Sequence, residues 1–197
     1  MTKKHALTRA DIIDIDDYAK TRSAHRARVT GIKRHRRVEV GPFATFYFEN
    51  FDTMWHQVHE MLHIERGGEA QIADELDAYN PLIPQGSELV ATVMFEIDDP
   101  QRRDPVLRSL GGIETCTYLA MSDERVAGEP DATRENTSRE GKASAVQFIR
   151  FPLSPSQIAR FRDPTTTVLV GIDHRRYGHI AVMSDQVRAA LALDFTA

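Results

Sequence analysis

The hydrophobic pattern changes period along the chain. Residues 14–35 read as one long charged helix, acidic at its start (Asp14, Asp16, Asp17) and basic at its end (Lys33, Arg34, Arg36, Arg37), as the helix dipole favours. Ahead of it, Thr8 opens T-R-A-D with Asp11 three residues on, a capping-box-like start. The period then falls to two. Val38 and Val40, a Gly41-Pro42 turn, and Phe46 and Phe48 predict a β-hairpin. A second helix follows, capped by Asn50 or Asp52 and ended by Gly67-Gly68. A third, over 69–79, stops at N-P-L-I-P, because Pro81 has no amide proton and clashes with the preceding turn.

The second half is richer in β-branched runs. S-E-L-V-A-T-V-M-F-E-I (87–97) predicts a central strand. Residues 100–110 predict a short helix broken at Pro105, and 112–121 another strand. Residues 122–143 are polar and carry scattered Gly, Pro and Ser, which predicts a loop or an exposed hairpin. A strand over 144–151 precedes S-P-S-Q, where Ser154 caps, Pro155 takes the first helical position and Gln157 the third. Two strands around a turn (166–173 and 178–183) and a final helix complete the chain. Helices come early, strands later, and connections are short. The expected fold is α+β: N-terminal helices packed on a largely antiparallel sheet in a single compact domain, helix-rich over 1–84 and strand-rich over 85–197.

Composition narrows the function classes. At 197 residues, 41% hydrophobic and 27% charged, the chain supports one sizeable core. A net charge of −4 provides no global attraction for nucleic acid or an anionic membrane. No apolar run approaches the roughly 20 residues that span a bilayer, and the N-terminus lacks an apolar signal region. The expected location is cytoplasmic. The single cysteine, Cys116, excludes an intrachain disulfide and a four-cysteine zinc site, and its place in an apolar strand pattern predicts an inert thiol.

H-E-M-L-H (His59 to His63) matches the H-E-x-x-H zinc signature. Histidines four apart share a helix face and can bind one zinc ion, with Glu60 as general base on the bound water. His56, His59, Glu60 and His63 fall on one face, opposite Phe51, Met54, Val58, Met61 and Leu62, so the histidines are expected on a solvated polar face. No third ligand is evident: the extended signature needs Gly and His where Arg66 and Glu69 stand, leaving only Asp74 or Glu75. In a chain with eight histidines the motif arises readily by chance, and that is the reading preferred here.

Several stretches together resemble a known family. They are R-R-V-E-V-G-P (36–42), T-F-Y-F-E-N (45–50), E-M-L (60–62), A-Y-N-P-L-I-P (78–84), E-L-V-A-T-V-M-F-E-I (88–97) and D-H-R-R-Y-G-H (173–179). Their order and spacing are similar to those of an uncharacterised bacterial family known only as domain of unknown function 3501. In the family pattern the second helix reads Q-I-x-E-M-L-R-x-E. Gln57, Glu60, Met61, Leu62 and Glu65 fit it, whereas His59 and His63 depart from it, so a shared chemistry cannot rest on H-E-x-x-H. The resemblance implies a redox or oxidative-stress setting, since members are encoded beside rubrerythrin-like proteins and iron-sulfur oxidoreductases, which become the expected partners.

Three further constellations are candidates. Asp173, His174, Tyr177 and His179 crowd a turn between two strands and suit metal ligation or acid-base work. Glu49, where hairpin meets helix, could join Glu60 and Glu65 in a carboxylate cluster. The segment from Lys20 to Arg37 carries eight Lys or Arg, with Arg34, Arg36 and Arg37 as its basic patch. The leading expectation is an accessory protein of redox metabolism whose pocket, built from the 173–179 turn with Glu49 and Glu60, binds a small ligand or a divalent metal. The alternatives are a zinc hydrolase using His59 and His63 with Glu60 as base, and a non-catalytic module docking an acidic partner through the basic helix.

Overall fold

Asp14 accepts the amide protons of Asp16 and Asp17 and so starts α1, Ile15–Arg34. The computed structural model describes residues 4–196. After α1 the chain forms a hairpin, β1 (Arg37–Val40) and β2 (Ala44–Phe48), around Gly41 in the left-handed region. Asn50 and Thr53 cap α2 (Phe51–Glu65) reciprocally, each side chain accepting the other's backbone proton. Arg66, not a glycine, takes the left-handed position that ends α2, and Gly68 precedes α3 (Glu69–Tyr79). A 3₁₀ turn, Asn80–Leu82, leads into β3 (Glu88–Phe95).

The strand-rich half departs from expectation in four places. First, α4 (Pro100–Ser109) runs unbroken through Pro105. Second, the 112–121 strand divides into a 3₁₀ turn, Ile113–Cys116, and β4 (Thr117–Met121). Cys116 therefore sits half-buried in a turn, its Sγ 3.6 Å from the Gly112 carbonyl, instead of alternating along a strand. Third, the segment taken as a loop or hairpin contributes β5 (Glu124–Ala127) and β6 (Glu129–Pro130) before turning irregular. Then follow β7 (Val146–Pro152), α5 (Pro155–Arg162, capped by Ser154), β8 (Val168–His174), β9 (Tyr177–Val182) and α6 (Asp185–Ala192).

Fourth, there are two antiparallel sheets: β1-β2-β3-β7-β6 and β5-β4-β8-β9. They face each other across a common core in which Phe46, Phe48 and Phe151 meet Leu119, Met121 and Val170. One nearly continuous strand serves both. It pairs with β4 as β5, bends at Gly128, and pairs with β7 as β6. A Cβ at Gly128 would lie 2.2 Å from Thr117 Oγ1 and 2.6 Å from Ile149 Cγ2, so the bend requires glycine. The architecture is α+β, as expected, with its single sheet resolved into two.

α2 and α3 cover the outer face of the five-stranded sheet, whereas α4, α5 and α6 bury side chains in the core shared by the two sheets. A second apolar cluster joins Met54, Val58 and Leu62 of α2 to Ile72, Leu82 and Val90. α1 lies against α2 and buries only Tyr18 and Val29 among its 20 residues, so polar contacts carry much of its docking. Among the described residues, no helix is long and apolar enough to cross a membrane.

Candidate functional site

The H-E-x-x-H helix does not present its histidines to solvent. His59 is fully buried beneath α1, its ring against Tyr18 and Trp55 at centroid distances of 5.0 and 4.0 Å. Both ring nitrogens are engaged: Nδ1 donates to the Trp55 carbonyl at 2.7 Å, and Nε2 accepts the Ile13 amide proton at 3.2 Å. Burial lowers the imidazole's pKa, consistent with this neutral tautomer. Glu60 is equally committed. Arg22 grips its two oxygens at 2.9 and 2.7 Å, and Tyr18 donates to it at 2.7 Å. The Arg22 guanidinium is the main reason its carboxyl is held down at about 2, too acidic for a general base near neutrality. His63 packs on Tyr18, and its buried Nδ1 has no hydrogen-bond partner among the described residues. The polar face was misjudged because α1 brings its own polar side chains to cover it.

The 173–179 turn is a joint between the sheets. The Tyr177 hydroxyl donates to the Val40 carbonyl at 2.7 Å and accepts the amide protons of Phe43 and Ala44, both at 2.9 Å. A Cβ on Gly41 would lie 2.5 Å from the His179 ring. Two stretches of the resemblance, 36–42 and 173–179, thus interlock. The remaining members point elsewhere: Asp173 pairs with Arg125, and His174 accepts the Arg176 amide proton at 3.3 Å. Glu65 is exposed and accepts from Gln71. Each candidate group therefore has its own local partners, and the described residues contain no group of three or more His, Cys, Asp or Glu placed to hold a metal ion.

The basic segment is also dispersed. Arg22 and Arg28 pair with Glu60 and Asp52 of α2. Arg37 pairs with Glu39, while Arg34 stays exposed. Arg36 leaves the proposed patch altogether: it is buried, pairs with buried Asp194, and donates to the carbonyls of Phe48 and Glu49 at 2.8 and 2.9 Å.

That clamp positions the carboxylate that stands out. Glu49 ends the β2 edge just before the α2 cap, its amide donating to the Val90 carbonyl at 2.7 Å. Its side chain is 5% exposed, and Oε1 accepts from Thr92 Oγ1 at 2.7 Å. No cation lies within ion-pair distance of it among the described residues. Glu49 lines a cleft of about 420 Å³ between the outer face of the five-stranded sheet and the helical layer. Strand register builds the floor, because Tyr47, Thr92 and Phe148 stand abreast on β2, β3 and β7. Lys33, Met54, Gln57, Tyr79 and Leu82 close it from the helical side. The Lys33 ammonium makes no ion pair or hydrogen bond among the described residues. Gln57 Nε2 reaches the Tyr79 hydroxyl at 3.4 Å.

Of these residues only Glu49 was named from sequence as a candidate site residue. Tyr47 could have been added, since strand alternation puts it on the same face as Glu49. Lys33, Met54, Gln57, Tyr79 and Phe148 are brought in by packing between distant elements. The stretches of the resemblance nevertheless converge here, supplying Tyr47, Glu49, Tyr79, Leu82, Thr92 and Met94.

The fold is a two-sheet α+β protein with a cleft of about 420 Å³ under its helical layer. The chain belongs to the family described as protein of unknown function (DUF3501), whose model matches residues 6–195. It is also similar to a crystal structure of a novel protein of unknown function from Burkholderia pseudomallei, at 37% identity and a TM-score of 0.89, over 97% of this chain and 100% of that one. No curated protein matches the chain.

Proposed function

We propose that the protein is a small-ligand-binding accessory protein and that the cleft around Glu49 is its binding site. The observation that carries this reading is a buried carboxylate that, among the described residues, has one hydroxyl partner and no ion pair, and lines a cleft of about 420 Å³ with apolar walls. An ionised group out of water is costly unless it is paired, and an arriving ligand offsets that cost. The volume falls within the range of small-molecule sites, and convergent polar groups on apolar walls are their usual chemistry. The small-ligand form of the expectation is favoured over the metal form, because no carboxylate or imidazole cluster accompanies Glu49 among the described residues. The redox setting, with rubrerythrin-like or iron-sulfur partners, enters through the family resemblance alone.

The test is chemical-shift mapping of a fragment library on the full chain. Binders should perturb the amides of Tyr47, Glu49 and Thr92 and lose that effect in Met94→Trp, which fills the cleft. A library that yields no binders, or binders that map to another surface, overturns the proposal.

A further inference from the structure

The cleft also specifies what kind of molecule it takes, and this step rests on the cleft being the binding site. Three features of the lining select the ligand. Glu49 has accepting capacity left over after its bond to Thr92, and a carboxylate pairs best with a donor that carries positive charge. The walls beside it, Met54, Leu82, Met94 and Phe148, are apolar and include two polarisable thioethers, which suit a hydrocarbon or aromatic body. Tyr47, Tyr79 and Phe148 add aromatic rings, whose faces attract an organic cation, as Arg37 over Tyr47 and Arg134 over Phe148 already show within the fold. Lys33 lies on the same cleft but is only half-buried, so it offers a more weakly desolvated positive charge than the buried negative charge of Glu49.

We infer that the site binds a small organic amine: its protonated nitrogen on Glu49, its apolar body against Met54, Leu82, Met94 and Phe148, and any anionic tail toward Lys33. A bare divalent cation does not fit this lining. It would meet one carboxylate and an opposing ammonium, whereas hard cations take six or more oxygens. A carboxylic acid without an amine is repelled by Glu49 at the buried end.

Calorimetric titration of the full chain with three probes tests the inference: n-hexylamine, hexanoate, and ε-aminocaproate, which carries both charges on a similar carbon chain. Hexylamine should bind and hexanoate should not. The zwitterion should bind about threefold tighter than hexylamine, the worth of one half-exposed ion pair. Glu49→Gln should weaken both amines at least about 30-fold, as expected when one partner of a buried charge pair is removed. Lys33→Ala should abolish the zwitterion's advantage over hexylamine.

Because Glu49→Gln keeps the acceptor for Thr92 and removes only the unpaired charge, the ligand-free variant should melt at the wild-type temperature or above. Hexanoate binding as tightly as hexylamine overturns the inference. So does amine binding that survives Glu49→Gln, or a clear fall in melting temperature in that variant, which would make Glu49 structural. If neither amine binds while library fragments still map to the cleft, the amine assignment fails and the cleft stands. If no fragment maps there either, both fail.

Discussion

Two glutamates, Glu60 within α2 and Glu49 just ahead of it, are held in opposite ways. Glu60 faces α1, where an arginine grips both its oxygens and a tyrosine adds a third bond, so its charge is fully compensated within the fold. Glu49 faces the sheet side of the same helical layer, more deeply buried, with one threonine hydroxyl for its charge. Glu60 sits inside a sequence motif with a known chemistry, and the fold has spent it on holding two helices together. Glu49 sits in no catalytic motif, and the fold leaves it open to a cleft. The contrast teaches that a functional group is recognised by what its environment leaves unsatisfied more than by the residues beside it in sequence.

The comparison can be broken at its strongest point first. Arg36→Ala should remove the ion pair to Asp194 and the bonds to the Phe48 and Glu49 carbonyls, and cost about 3 kcal/mol, because two buried carbonyls lose the guanidinium that donates to them. Urea denaturation measures it, and a loss below about 1 kcal/mol would deny the clamp under Glu49 its role. Glu60→Gln should have the next largest effect, lowering the melting temperature at neutral pH by on the order of 2–4 °C. Its pH dependence gives the sharper test. The folded carboxyl is depressed to about 2 from an ordinary 4.5, so its contribution is complete above pH 4.5 and is lost as pH falls toward 2. Wild type should lose stability across that window faster than Glu60→Gln, and parallel curves would refute the assignment.

The buried histidine gives a smaller effect at milder pH. Burial lowers the folded pKa of His59 below its usual 6.5, so the unfolded chain takes the proton first. Stability from this group is complete above about pH 6.5 and is lost as pH falls below it. His59→Gln should melt lower at pH 8 but depend less on pH between 7 and 5, as measured by thermal denaturation followed by circular dichroism. The smallest effects belong to the exposed part of the 173–179 turn. Asp173→Asn and His174→Ala should each change stability by no more than about 0.5 kcal/mol and leave amine binding unchanged, because their contacts are surface ones. A large loss from either would mean the turn does more than join the sheets through Tyr177.

Much of the local structure was legible in the chain. The caps at Asn50, one of the two residues offered, and Ser154 fall where the sequence puts them, because capping is a contact between residues three apart, whereas the Thr8 box starts a separate 3₁₀ turn, Arg9–Asp11, and Asp14 caps α1. The hairpin around Gly41 and the α3 stop before Pro81 follow from backbone chemistry of the same short range. The α+β class followed from the order of helical and alternating segments. The family was legible too, from stretches spread along the chain. What the pattern could not show was partnership. Whether His59 faces water or Tyr18, 41 positions away, depends on where α1 comes to rest. Whether Arg36 belongs to a surface patch or a buried clamp depends on Asp194, at the far end of the chain. The second sheet was missed for a related reason: one strand bends at Gly128 and divides its hydrogen bonds between two sheets, and hydrophobic alternation does not record which neighbour a strand will choose. The sequence by itself thus determined the elements, their ends and the class of fold, since these rest on interactions a few residues long. Tertiary structure alone decided which charged groups are satisfied, since compensation of a buried charge is set by whichever distant side chains the packing brings within about 3 Å.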